Sequence, residues 1–322
     1  MKTIHGYELK GDLTTQNAGF CQWGFCSKGG HDYFIKEFLD PKYPIDPDLF
    51  TPEAFERKIK ICNDFFAEKT RFYQALERCR TGNNIIIHDF FREGAKYYII
   101  TDMVNQATFS LKDISSLSTA KKETLIRSVL YSVAVLHAAG VVHSDLKADN
   151  ILLKETPDGF ITAKIIDFDA GFLINEPQSK VKGDVVYLSP EAYKKMKGED
   201  LVLTEKIDIF ALGILFHQYL TGELPSFPEK DKCVCLALLN GDELELSDTL
   251  SPFYRTIISN MLSIKPEDRM SAREILRLFE KQDAPSEDRK NTEAKEDPNR
   301  GKTVVSSTGL KKTGFYVPKD LD

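Results

Sequence analysis

Residues 143–150 read HSDLKADN, with the apolar pair Val141-Val142 before them and Ile151, Leu152 and Leu153 after them. Two carboxylates, a lysine, an asparagine and a histidine are thus gathered between two runs with the pattern of buried strands. Such a cluster is either a chance polar turn or a set of groups brought together for chemistry. The rest of the chain decides between the two.

The bulk properties are those of an ordinary globular protein. The 322 residues are 42% hydrophobic and 29% charged, enough to bury a sizeable core and long enough for two domains. Forty-three Lys and Arg against 49 Asp and Glu give a net charge of -6, which offers no general reason to expect nucleic acid or an anionic membrane as a partner. No apolar run approaches the roughly 20 residues that span a bilayer, and the opening MKTIHGYELKGD lacks the apolar core of a signal peptide, so a cytoplasmic location is expected. Cys21, Cys26, Cys62, Cys79, Cys233 and Cys235 form neither a CxxC pair nor the spacing of a disulfide framework. Thiols in a reducing compartment are expected.

Three regions follow one another. From 7 to 104, the β-rich runs GFCQWGFC, DYFIKEF, NIIIHDFF and KYYIITDMV surround one long helix that opens at TPEAFERK, with Thr51 as N-cap and Pro52 in the first turn. From 105 to 280 the pattern is mainly helical. Leu125, Ile126, Val129, Leu130, Val133 and Leu136 recur at three- and four-residue spacing on one helix that Gly140 can end. From 281 to 322, DAPSEDRKNTEAKEDPNRGK loses its apolar residues, which marks a flexible C-terminal tail by composition, and TVVSSTGLKKTGFYVPKD regains a few.

In this setting HSDLKADN resembles the catalytic loop of the protein kinases, H-R-D-x-K-x-x-N. The resemblance implies that Asp145 accepts or orients the proton of an attacking hydroxyl, that Lys147 offsets charge on the γ-phosphoryl group and that Asn150 holds a magnesium ion. IIDFDAG resembles the family's D-F-G with its glycine replaced, and makes Asp167 a metal ligand and Phe168 its packing neighbour. GDVVYLSPEAY resembles the run into A-P-E through Ser189, Pro190 and Glu191, and KPEDRMSAREIL supplies Arg269 as the buried partner of Glu191. EKIDIFALGILFHQYLTGELP is similar to the central helix of the family's large lobe, with Asp208 as its aspartate.

In the small lobe, Lys36 of YFIKEF resembles the lysine of V-A-I-K that meets the nucleotide's α- and β-phosphates and pairs with a glutamate on the next helix. Glu68, or Glu56 as the second choice, is the expected glutamate. Of the Gly-rich loop only Gly19 survives, with Thr14 and Gln16 at the first two glycine positions and Asn17 able to take a tight turn. YYIITDMV places Thr101 behind the adenine and runs Asp102 to Val104 along its edge, where backbone groups read the base.

The implied architecture is α+β: the bilobal kinase fold, with a small β-rich N-lobe at 7–104, a mainly helical C-lobe at 105–280 and ATP with Mg in the cleft. The implied reaction is transfer of the γ-phosphoryl group to a Ser/Thr hydroxyl of a protein substrate, since Lys147 is the residue that class carries. Two alternatives stand beside it, a pseudokinase-like binding module, favoured by the missing glycines, and a small-molecule phosphotransferase of the aminoglycoside-kinase type. Ser144 replaces the arginine that grips an activation-loop phosphate, so activity without that phosphorylation is expected. The segment between Asp167 and Glu191 contains no threonine and offers Ser179, Tyr187 and Ser189, with Gly183-Asp184 where the family has G-T. Asp169 is expected to point away from the metal and stiffen its segment, with help in attracting a metal ion as the second choice. Thr303, Ser306, Ser307, Thr308 and Thr313 make the tail a candidate for autophosphorylation.

Overall fold

Strands β1 (Thr3–Ile4), β2 (Tyr7–Leu9), β3 (Cys21–Lys28), β4 (His31–Phe38), β5 (Ile87–Glu93) and β6 (Lys96–Asp102) form one antiparallel sheet, ordered β1-β2-β3-β4-β6-β5, in the computed structural model. The structure describes residues 2–16, 21–104, 109–155, 161–176, 183–228 and 233–283. Side chains of the sheet alternate between its two faces, one packed into a core of its own and the other divided between the main core and a cavity lined by Trp23, Phe25, Phe34 and Lys36. Tyr98 and Ile100 of β6 join Ile35, Cys26 and Phe91 on one side, while Tyr97 and Ile99 join the main core on the other.

Helix α1 (Pro52–Glu77) crosses between β4 and β5. Thr51 Oγ1 accepts the Ala54 N–H and Pro52 sits in the first turn, the start that the sequence signals. Its buried residues are Cys62, Lys69, Phe72, Tyr73 and Leu76, a stripe at seven-, three- and four-residue steps.

Beyond β6 the chain becomes mainly helical, with α2 (Leu111–Ser115) and α3 (Thr119–Ala138) first. Ser118 caps α3, and Gly140 beyond its end takes φ 74°, a conformation that glycine adopts without strain. Four short strands carry the chemistry-bearing loops: β7 (Val141–Val142), β8 (Ile151–Glu155), β9 (Ile161–Ile165) and β10 (Phe172–Leu173), with β8 paired to β9 and β7 to β10. The hydroxyl-capped α4 (Pro190–Met196) leads to α5 (Lys206–Thr221), which is buried from Ile207 to Tyr219 and is therefore apolar nearly all round. Helix α6 (Val234–Leu239) packs on α4, α7 (Pro252–Met261) packs on α5, and α8 (Ala272–Asp283) sets Phe279 against Phe253 of α7.

A β-rich part and a mainly helical part thus follow the expected α+β order. Besides the connection through Asp102, they are joined where the Ile85 N–H donates to Ile165 O at 2.9 Å and the Ile165 N–H to Asn83 O at 2.7 Å. Residues 1–280 form one compact unit; of the second, 281–322, only 281–283 are described.

Candidate active site between the sheet and the helical part

The loop 143–150 is held from below by Asp208, buried near the start of α5. Its carboxylate accepts the His143 N–H and the Ser144 N–H, both at 2.8 Å, and meets His137 Nε2 at 3.0 Å. A buried carboxylate with several donors is a rigid anchor, because each lost bond would leave it unsatisfied. Ser144 takes φ 69° on this anchor. His143 Nε2–H donates to Ile166 O at 2.9 Å, and its ring lies 4.6 Å from that of Phe168, so the loop also fixes the strand that leads to Asp167.

Asp145 is gripped on both carboxylate oxygens. Oδ1 accepts the Asp184 N–H at 2.9 Å; Oδ2 accepts Asn150 Nδ2 at 3.0 Å and lies 3.2 Å from Lys147 Nζ. Asn150 Nδ2 also donates to Asp145 O at 2.7 Å. Asp184, in the position of the family's threonine, adds a carboxylate 3.9 Å from Lys147 Nζ.

Across the cleft, Lys36 Nζ lies 2.9 Å from both Asp167 Oδ1 and Asp169 Oδ2. Burial works against its charge, yet Asp169 and then Asp167 outweigh burial and hold the ammonium above its ordinary value. Burial likewise pushes the Asp167 carboxyl up, but Lys36 prevails and holds it below the usual carboxylate range. Asp167 stands at φ 61°, local strain of the kind kept at functional sites.

Two expectations are corrected here. Glu68 does not pair with Lys36: it is exposed, as is Glu56, and the buried residue of that helical turn is Lys69, which donates to Asp169 O at 2.9 Å. The reason is helix phase, since 69 shares a stripe with 62, 72, 73 and 76 and 68 lies about 100° away. Asp169, expected to point away, faces inward onto Lys36, and the positive φ in this segment belongs to Asp167. Sequence reasoning also missed Arg71 of α1, which grips Glu176 bidentately at 2.6 and 3.0 Å.

These groups open on a cavity of about 920 Å³. Lys36, Lys147, Asn150, Asp167 and Asp169 line one part, and Thr101, Asp102, Met103 and Val104 line its edge. The Asp102 N–H donates to Ile86 O, its carboxylate meets His88 Nε2 and Lys164 Nζ, and its carbonyl accepts the Thr101 hydroxyl at 3.4 Å. Trp23, Phe25 and Phe34 supply aromatic wall, with Trp23 and Phe34 stacked at 5.5 Å between ring centroids. Thr14 pairs with Trp23 in a bridge, and Trp23 Nε1–H donates to Gln16 O at 2.8 Å. Gly19, Asn17 and Ser179 lie outside the described residues, as does the tail from 284 onward. Tyr73 also lines the cavity, and its hydroxyl is buried without a partner among the described residues. Burial, then Asp169 and Asp167, push its phenol well above the ordinary value.

A family model described as the protein kinase domain matches residues 57–278. The chain belongs to the protein kinase family. Its two-part architecture is accordingly the bilobal kinase fold, with a curled sheet as N-lobe and a helical C-lobe. Among known proteins it is similar to calcium/calmodulin-dependent protein kinase type II of Caenorhabditis briggsae, 30% identical over 271 residues that cover 79% of this chain and 49% of that protein. It is also similar to calcium-dependent protein kinase 19 of Arabidopsis thaliana, 31% identical over 157 residues covering 47% and 27%, respectively. Serine/threonine-protein kinase STE20 of Eremothecium gossypii is 30% identical over 200 residues, covering 61% and 18%. The matched region spans about half or less of each of these kinases.

Proposed function

We propose that this kinase-family chain transfers the γ-phosphoryl group of ATP to serine or threonine hydroxyls of protein substrates. The observation that carries the reading is the fixed carboxylate of Asp145, held at both oxygens beside Lys147 and near a cavity that also presents Lys36, Asn150 and Asp167. In this reading Asp145 orients the acceptor hydroxyl and takes its proton, and Lys147 offsets charge on the transferring group. Lys36 meets the α- and β-phosphates. Thr101 backs the adenine while the Asp102 carbonyl and Val104 read its edge.

The donor set fits magnesium. Asn150 commits its amide nitrogen to Asp145, leaving the amide oxygen for a cation, and Asp167 is a carboxylate held ionised by Lys36; oxygen donors of this kind suit a hard ion. Magnesium bound there would neutralise phosphate charge as it develops. The test is ATP turnover on a generic protein acceptor with and without magnesium, for the wild type and Asp145→Asn. Turnover that survives the substitution in a folded protein would exclude the reading, and labelled phosphate found on serine or threonine would fix the acceptor class.

The proposal includes activity without activation-loop phosphorylation. Its support is Ser144 in place of an arginine, together with the Arg71–Glu176 pair, which ties α1 to the segment beyond Asp167 with a permanent carboxylate. It includes autophosphorylation between 303 and 313, which mass spectrometry after incubation with ATP would detect. A cytoplasmic location is proposed from the six unbridged cysteines. No described helix is long and apolar enough to cross a membrane.

A further inference from the structure

Resting on the reading of the cavity as a phosphoryl-transfer site, we propose that Asp169 is the carboxylate that positions Lys36, and that Lys69 of α1 is its counterpart on the helix. The family pattern asks for a glutamate on the helix and a glycine after D-F; here a lysine and an aspartate stand in the two places. Asp169 is held at two points, its carboxylate by Lys36 and its backbone carbonyl by Lys69, both at 2.9 Å. Both lysines are buried.

The two departures balance each other. Two buried ammonium groups facing Asp167 alone would leave excess positive charge in the site and pull Asp167 away from a metal ion. Asp169 supplies the second carboxylate, so Lys36 need not rely on Asp167. A glutamate at 69 beside Asp167 and Asp169 would instead gather three carboxylates round Lys36. The residue types at 69 and 169 are therefore coupled, as Lys with Asp or as Glu with Gly. Because Lys69 reaches the backbone of the segment, the same arrangement locks α1 to the residues after Asp167, and Arg71–Glu176 repeats that link two residues further along the helix.

The experiment is a charge transplant, with Lys69→Glu and Asp169→Gly made singly and together. Kinetics with magnesium give kcat and KM, and the fluorescence of Trp23, the single tryptophan and a cavity residue, gives ATP affinity without magnesium. Each single change is expected to lower kcat/KM about tenfold, and the double to return close to wild type, a coupling approaching about 2.8 kcal/mol, that of two tenfold losses cancelled. Lys69→Arg, which keeps the donor, is expected to stay near wild type, and Glu68→Gln to change neither readout. A double variant as poor as the product of the singles overturns the proposal, as does Asp169→Gly with unchanged kcat and ATP affinity. If the kinase reading itself fails, wild type and Asp145→Asn will turn over ATP equally. The pairing is then decided by Tm without nucleotide: losses for Lys36→Met and Asp169→Asn that combine to less than their sum support it, and additive losses overturn it.

Discussion

Gly171 lacks a side chain because Phe72 fills the space one would need: a Cβ there would stand 2.3 Å from Phe72 Cζ and 3.0 Å from Val142 O. Phe72 cannot retreat, since it packs beside Phe168 within the core below α1. Gly171→Ala is expected to lower stability by about 1–3 kcal/mol as overpacking, measured by urea unfolding, and to lower activity too, because Phe72 belongs to α1 and Phe168 adjoins Asp167. At Asp145 and Asp167 the prediction is the reverse, chemistry lost with the fold kept. Removal of the base should slow transfer by roughly 10²- to 10⁴-fold, and Asp145→Ala and Asp167→Ala should keep the wild-type circular dichroism, Asp167→Ala with a lowered Tm because its ion pair with Lys36 is lost. A folded Asp167→Ala protein with most of its activity would remove the basis for magnesium at this site. The motif residues Asp145, Lys147, Asn150 and Asp167 could be picked from sequence because each lies within a short run of fixed spacing. The aromatic wall of Trp23 and Phe34 could not, since it depends on the register that sets Trp23 opposite Lys36 and Phe34 opposite Phe25.

At the scale of elements, Arg269 shows how distant segments are kept in place. Its side chain, 0% exposed, forms a two-point pair with Glu191 of α4 at 2.7 and 2.9 Å and donates to the carbonyls of Ser263, Ile264 and Lys206. Arg269→Ala would strand the Glu191 carboxylate and three carbonyls together. Breaking such a pair from one side costs about 3–5 kcal/mol, so chemical denaturation of this variant should show a loss of that size, whereas Arg80→Ala, at an exposed pair with Glu77, should change stability very little. The sequence made this pair legible because both partners sit in recognisable runs. Helix α1 was legible at its start and over its length but not in its facing. Glu68 follows from the resemblance of FFAEKTRFYQAL to the family's helix, while the apolar residues Cys62, Phe72, Tyr73 and Leu76 mark a stripe that includes Lys69 and leaves Glu68 outside it.

For the molecule as a whole, acid sensitivity should have two stages. His217 on α5 is buried as the neutral ring, with Nδ1–H given to Glu223 O at 2.7 Å and Nε2 accepting the Ser247 N–H at 3.1 Å. Burial holds its pKa below the ordinary value of 6.5. The unfolded chain therefore binds a proton first as pH falls, and the stability this group contributes, whole above about pH 6.5, is lost on the way down to its folded value. Asp167, also depressed, acts the same way in the more acid range of carboxylates. Tm measured from pH 7 to 5 should drop in the wild type and drop less in His217→Gln. Phosphatase-treated protein is expected to phosphorylate an acceptor at the untreated rate, and inert treated protein would show that Arg71–Glu176 does not replace a loop phosphate. Finally, the sheet and the helical part are fastened along a line and not at a point: Asn83 and Ile85 grip Ile165, and Lys164 reaches Asp102 at 3.1 Å beside the chain crossing. These attachments leave a swing about their own line, as a door has on two hinges, and the side-chain links of Lys36, Lys69 and Arg71 to Asp167, Asp169 and Glu176 act as its latch. Nucleotide would enter and leave by that swing, so loosening the second fastening with Lys164→Ala should speed exchange of bound nucleotide, followed through Trp23, with little change in the rate of the chemical step.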